Sequence, residues 1–151
     1  MLRHVVLVED DHLQEGPLAD YLQDSVPDLT IETVTTESEF RNKLPDFRKQ
    51  PPDLVIMDMM LRWAVPRLSM PDPPPEVLDG GYYRAGLRCI DLLRQDELLK
   101  DIPIILYTFL ERQDLTRDNP RAMEGIQYLR KSADGEELAR LVENGLRRGT
   151  S

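Results

Sequence analysis

Short apolar runs recur along the chain at His4 to Val8, Thr30 to Val34, Leu54 to Met57, Ile102 to Tyr107 and Gln127 to Leu129. They are short, rich in Val and Ile, and bounded by charge or proline, which predicts five strands. Helical patterns lie between them. Leu87, Ile90 and Leu93 recur at intervals of three, and Leu138, Leu141 and Val142 at three and four, so each set lines one helix face. Asp134, with Glu137 three positions on, predicts a capping box that opens the last helix. Strands alternating with helices imply an α/β domain with a doubly wound five-stranded parallel sheet, covered by helices on both faces.

Two features interrupt this regularity. Gly16 and Pro17 fall inside the first predicted helix and Pro120 near the end of the fourth. Proline in a helix removes a donor and clashes with the preceding turn, so kinks or short helices are expected there. The interval between the third and fourth runs is about twice the others. Its extra residues, about 59–85, carry Pro66, Pro71, Pro73, Pro74 and Pro75, then Gly80 and Gly81, without an apolar period. This predicts a long inserted loop in place of another strand and helix. Trp63, Val65, Leu68, Met70, Tyr82 and Tyr83 are costly to leave in water, which favours an ordered flap or a partner surface over a solvated loop.

A chain of 151 residues with 40% hydrophobic content has the size and composition of one domain, 1–151, with one core. Against 19 basic residues stand 28 acidic ones, a formal charge of -9 that would repel a phosphate backbone and argues against direct nucleic-acid binding. No apolar run approaches a membrane span, and the opening MLRHVVLVEDD lacks the extended apolar stretch of a signal peptide, so a cytoplasmic location without membrane contact is expected. The single cysteine, Cys89, reads as a small apolar helix residue, and His4 and His12 lack metal-ligand spacing. Arg147 and Arg148 are expected to meet the negative end of the last helix.

In an open parallel sheet, chemistry gathers at the carboxyl ends of the strands. Here those ends hold Glu9 and Asp10, then Asp58, then Thr108, and finally Lys131. Should strands one and three be neighbours, three carboxylates crowd together. At about 4 Å and an effective dielectric near 20, each like-charged pair costs roughly 4 kcal/mol, so a cation must offset them. Lys131 supplies one, and a hard divalent ion such as Mg²⁺ would supply another. A carboxylate nucleophile, a metal, a hydroxyl and an ammonium together make a phosphoryl-transfer site.

The segments VVLVEDD, PDLVIMDMM, IILYT and YLRKS, in that order and at strand ends, resemble the receiver domain of two-component response regulators. The resemblance spans nearly the whole chain apart from the insertion. It implies a flavodoxin-like fold with strand order 2-1-3-4-5. It further implies Asp58 as phosphoacceptor, Asp10 as a direct Mg²⁺ ligand, Glu9 as a ligand through water and the Met60 backbone carbonyl as another. Thr108 and Lys131 would hold phosphoryl oxygens, and Thr108 with Tyr128 would form the switch. The implied donor is a histidine kinase or phosphotransfer protein. The implied output is an altered protein-binding surface on the helix after strand four, strand five and the last helix, with a homodimer through that face also allowed. A module of this kind is a signalling receiver and not an enzyme.

Three departures bear on that expectation. AGLRCIDLLRQ resembles the family's third helix, so roughly twenty residues separate it from its usual distance to the phosphoacceptor. Phe109 stands where the family has a small residue, and Ser132 replaces the proline usual after the lysine, which leaves a trans peptide bond as the expectation there. Two further readings follow. In a pseudo-receiver, Phe109 and the insertion block the pocket and binding is constitutive. An aspartate-nucleophile phosphatase generally needs a second acid two residues after the nucleophile, where this chain has Met60, so that reading ranks last.

Overall fold

The computed structural model describes residues 2–10, 12–65, 70, 72–81, 84–118, 123–131 and 135–148, leaving aside the side chains of 12–15, 116–118 and 148. Pro66, Leu68, Pro71, Tyr82, Tyr83, Pro120, Ser132 and Asp134, and the side chains of His12 and Arg148, lie outside the described residues. Five strands alternate with helices: β1 (Arg3–Val8), α1 (His12–Ser25), β2 (Leu29–Val34), α2 (Glu37–Lys49) and β3 (Leu54–Met57). After these come α3 (Pro75–Gly80), α4 (Ala85–Arg94), β4 (Ile104–Thr108), α5 (Arg112–Asp118), β5 (Gln127–Arg130) and α6 (Gly135–Arg148). All strand pairings are parallel, in the order β2-β1-β3-β4-β5.

The sheet is buried on both faces, and the two-residue period of its strands divides the core. Val6, Val8, Val55, Met57 and Leu106 point to one side, where Phe40, Leu44 and Phe47 of α2 and Leu87, Ile90 and Leu93 of α4 cover them. Val5, Leu7, Leu54, Ile56 and Ile105 point to the other, against Ala19 and Leu22 of α1 and Leu138, Val142 and Leu146 of α6. Cys89 is fully buried in α4, as its apolar reading requires.

Some sequence expectations change. α1 runs unbroken through Pro17, five residues past its first residue, so neither Gly16 nor Pro17 shortens it. β4 begins at Ile104 and not Ile102, because Pro103 has no N–H to add to a ladder; its carbonyl accepts from Val55 N at 3.0 Å. At the end of α6, Arg147 pairs with Glu143, while Arg3 Nη1 of β1 donates to the Leu146 carbonyl at 2.7 Å. A cation of β1 thus meets that end of the helix.

The segment between β3 and α4 is not loop throughout. Pro74 and Pro75 open the short helix α3, where the fixed φ of proline suits a helix start and its missing N–H costs no bond. The segment is also tied to the core. Met59, Leu61 and Ala64 are buried, and the Arg62 and Trp63 carbonyls accept from Glu37 N at 3.0 Å and Ser38 N at 2.8 Å. These amides belong to the first turn of α2, where no intrahelical acceptor exists. Glu37 is itself fully buried between Arg88, which donates to it through Nη2 at 2.7 Å and Nε at 2.9 Å, and Arg41 at 3.0 Å. Arg41 reaches on to Glu76 of α3 at 3.1 Å and lies over the Trp63 ring.

Candidate functional site

The register brings the strand ends together. Val8 pairs with Val34 on one side and Met57 on the other, so Glu9 and Asp58 each sit one residue beyond the same rung. Glu9 N donates to the Val34 carbonyl at 2.9 Å and Asp58 N to the Val8 carbonyl at 3.0 Å, which carries the ladder up to the acids themselves. β5 ends opposite Thr108, and Lys131 N donates to the Thr108 carbonyl at 2.9 Å, turning the lysine inward over the sheet edge.

Lys131 joins the two acids. Its Nζ stands 2.6 Å and 2.8 Å from the two Glu9 oxygens and 2.9 Å from Asp58 Oδ2, with all three side chains more than 90% buried. Burial by itself disfavours the ammonium, but the charges of Asp58 and Glu9 outweigh it and hold the Lys131 pKa above its ordinary value. Its ammonium also faces the rings of Tyr107 and Phe109 at 5.9 Å and 5.1 Å. Phe109 is half exposed and stands at the mouth of the site beside the lysine.

Thr108 is fully buried, and its Oγ1 accepts from Leu110 N at 3.4 Å. The Tyr128 hydroxyl donates to the Leu110 carbonyl. One residue of the β4–α5 turn thus touches both predicted switch residues. Tyr128 is half-buried and packs against the core on the α2 and α4 side.

Asp10 is placed differently. It does not contact Lys131 among the described interactions; its Oδ2 accepts from the Arg62 main-chain amide at 3.2 Å, and its Oδ1 lies 2.9 Å from Arg62 Nε. Oδ1 is shielded from solvent and makes no hydrogen bond of acceptable geometry, even to that guanidinium. Met60 N approaches Asp58 Oδ1 at 3.4 Å, so this oxygen is held less firmly than Oδ2. Among the described residues no three His, Cys, Asp or Glu side chains form a metal cage. Mg²⁺ does not need one, since it is usually held by one or two carboxylates with water. Oxygen donors from Asp10 and Asp58, and an Asp10 oxygen without a satisfied bond, fit such an ion.

Sequence reading missed two residues here. Arg62 gave no signal, because nothing in the chain indicates that the segment after β3 folds back over Asp10. Gly86 is the other. Its amide donates to the Met59 carbonyl at 2.8 Å, so α4 docks on the peptide that carries Asp58. A small residue at the start of a helix pattern was the available signal.

No family model and no curated protein matches the sequence. Solved structures do match it in fold. A CheY-like response regulator receiver domain protein from Methanospirillum hungatei superposes with a TM-score of 0.70 at 16% identity, over 99% of this chain and 98% of that one. The receiver domain of the Francisella response regulator 1452 gives 0.68 at 14%, over 97% and 98%. A two-component response regulator from Aurantimonas gives 0.67 at 19%, over 97% of this chain and 86% of that one. The chain has the fold of a response-regulator receiver domain, with the flavodoxin-like strand order 2-1-3-4-5. No described helix is long and apolar enough to cross a membrane.

Proposed function

We propose that the chain is a phosphoacceptor receiver, taking a phosphoryl group from a histidine kinase or phosphotransfer protein onto Asp58. The observation that carries this reading is the buried contact of Lys131 with Asp58 and Glu9 at the carboxyl edge of the sheet. Asp58 Oδ1, the less firmly held oxygen, attacks phosphorus. An O–P bond forms, the donor's P–N bond breaks, and the leaving imidazole recovers a proton from solvent. Asp10, Asp58, the Met60 carbonyl and, through water, Glu9 would hold Mg²⁺, which would supply charge neutralisation to the phosphoryl oxygens. Lys131 turns from Glu9 to a phosphoryl oxygen, and the Thr108 hydroxyl donates to another.

Movement of Thr108 toward the phosphoryl group pulls on the Leu110 amide, and Leu110 in turn holds Tyr128. Phosphorylation is thereby passed to the α5, β5 and α6 surface, where a downstream protein or a second copy binds. The work is signalling in the cytoplasm, with self-directed phosphoryl transfer and no turnover of a separate substrate. Intact mass after incubation with acetyl phosphate and Mg²⁺ tests the reading. One added phosphoryl group that is absent in Asp58→Asn is expected; no addition, or equal addition in both, would refute it.

One observation favours a second reading, that of a constitutive binding module: the Phe109 ring stands 5.1 Å from Lys131 Nζ at the mouth of the site. That module would bind its partner equally as the native chain and as Asp58→Ala, whereas the receiver would not.

A further inference from the structure

We propose that Arg62 is a specificity-determining residue of the acidic site, a tethered cation that contends with Mg²⁺ for Asp10 and so sets the metal concentration at which the site fills. The proposal rests on the receiver reading and adds a threshold to it.

The contact is built into the main chain. Arg62 is preceded by the fully buried Leu61 and followed by Trp63 and the buried Ala64, and its carbonyl and that of Trp63 bond the first amides of α2. Its own amide holds Asp10 Oδ2 at 3.2 Å. With the Arg62 amide and carbonyl both held, its side chain starts beside that carboxylate, and Nε stands 2.9 Å from Oδ1. The match is incomplete. Oδ1 is shielded from water yet lacks a well-directed hydrogen bond, although an arginine normally offers a carboxylate two. A fully satisfied Arg–Asp pair would lock the site; a half-satisfied one leaves an oxygen with capacity for a stronger cation.

Charge counting points the same way. Lys131 is shared between the two buried acids it joins, and Arg62 is the cation paired with Asp10. A dication entering beside Asp10 must displace the guanidinium side chain and then tolerate its positive charge nearby. At about 5 Å in a water-like dielectric, that repulsion corresponds to roughly tenfold in affinity, because both groups are partly exposed.

The test is calorimetric titration of the full chain with MgCl₂ for wild type, Arg62→Ala, Arg62→Lys and Arg147→Ala. Arg62→Ala leaves the main-chain bonds in place and is expected to bind Mg²⁺ roughly tenfold tighter. Arg62→Lys keeps the charge without the pinned Nε and falls between. Arg147→Ala removes one charge at the far end of α6, next to the Leu146 carbonyl held by Arg3, and leaves affinity unchanged. In wild type, saturating Mg²⁺ should also shift the Arg62 Nε–H resonance. Equal affinity in wild type and Arg62→Ala overturns the proposal, as does equal tightening in Arg147→Ala. If Asp58 still gains phosphate in those variants, only the role of Arg62 fails. If no chain takes up Mg²⁺ and none is phosphorylated, the receiver reading fails with it. Melting curves and the fluorescence of Trp63, the one tryptophan, check that each variant is folded.

Discussion

Gly86 lies against Asp58 so closely that a Cβ added to it would stand 2.3 Å from the Asp58 carbonyl oxygen and 2.7 Å from Met59 Cα. Both neighbours are main chain, held in place by the sheet, and neither can give way cheaply. Glycine to alanine inside a helix ordinarily stabilises by about 0.5–1 kcal/mol. Gly86→Ala is expected to destabilise instead, by about 1–3 kcal/mol, as forced overpacking does. Urea denaturation gives the sign directly, and a gain in stability would contradict the close approach.

Lys131 is the counter-charge of two buried acids, so its removal leaves them uncompensated. Lys131→Met is expected to cost about 3–5 kcal/mol near neutral pH. Lys131→Arg keeps the charge and should lose less; denaturant titrations of the two variants provide the comparison, and an equal loss in both would point to packing in place of charge.

The same lysine predicts an alkaline limit. Its pKa in the fold lies above the ordinary 10.5, because Asp58 and Glu9 outweigh burial. A raised cationic pKa contributes stability that is complete below the unfolded value and disappears as pH rises through the folded one. Unfolding free energy should therefore keep the Lys131 contribution up to about pH 10.5 and lose it above, a decline that Lys131→Met should lack.

Glu37 anchors the segment between β3 and α4. Glu37→Ala strands Arg88 and Arg41 around a buried hole, with an expected cost of about 3–5 kcal/mol. Glu37→Gln keeps the shape and loses the charge, so it should cost less. Amide exchange at Ser38, whose N–H donates to the Trp63 carbonyl, should accelerate in the alanine variant before global unfolding.

Cys89 should be inert in the native state. Burial, with the charge of Glu37 adding to it and Arg41 and Arg88 opposing, pushes its thiol well above the ordinary value. Native protein is expected to resist a thiol reagent at pH 8, with one equivalent reacting in denaturant. Fast native labelling would show that α4 opens locally.

Much of the architecture could be read from residue order. Short Val and Ile runs separated by three-and-four spacings admit few folds other than a parallel sheet between helix layers, and strand-end acids followed by a distant hydroxyl and lysine mark one edge of it. Boundaries were less legible where proline intervened: α1 runs on through Pro17, whereas Pro103 cut β4 short because a ladder needs an N–H. The pairing of Asp58 with Lys131, 73 positions apart, could be expected because both terminate strands that meet at the same edge. Arg62 could not.

By itself, the sequence determined which groups the sheet edge would carry, since strand period and chain order dictate where each strand ends. Tertiary structure alone decided how those charges are shared: Lys131 between Glu9 and Asp58, and an arginine of the β3–α4 segment upon Asp10. The physical reason is that local pattern sets backbone geometry over a few residues, whereas ion pairing depends on where a non-periodic segment folds back. That in turn was settled by the unsatisfied amides of α2 and the buried Glu37 beneath them.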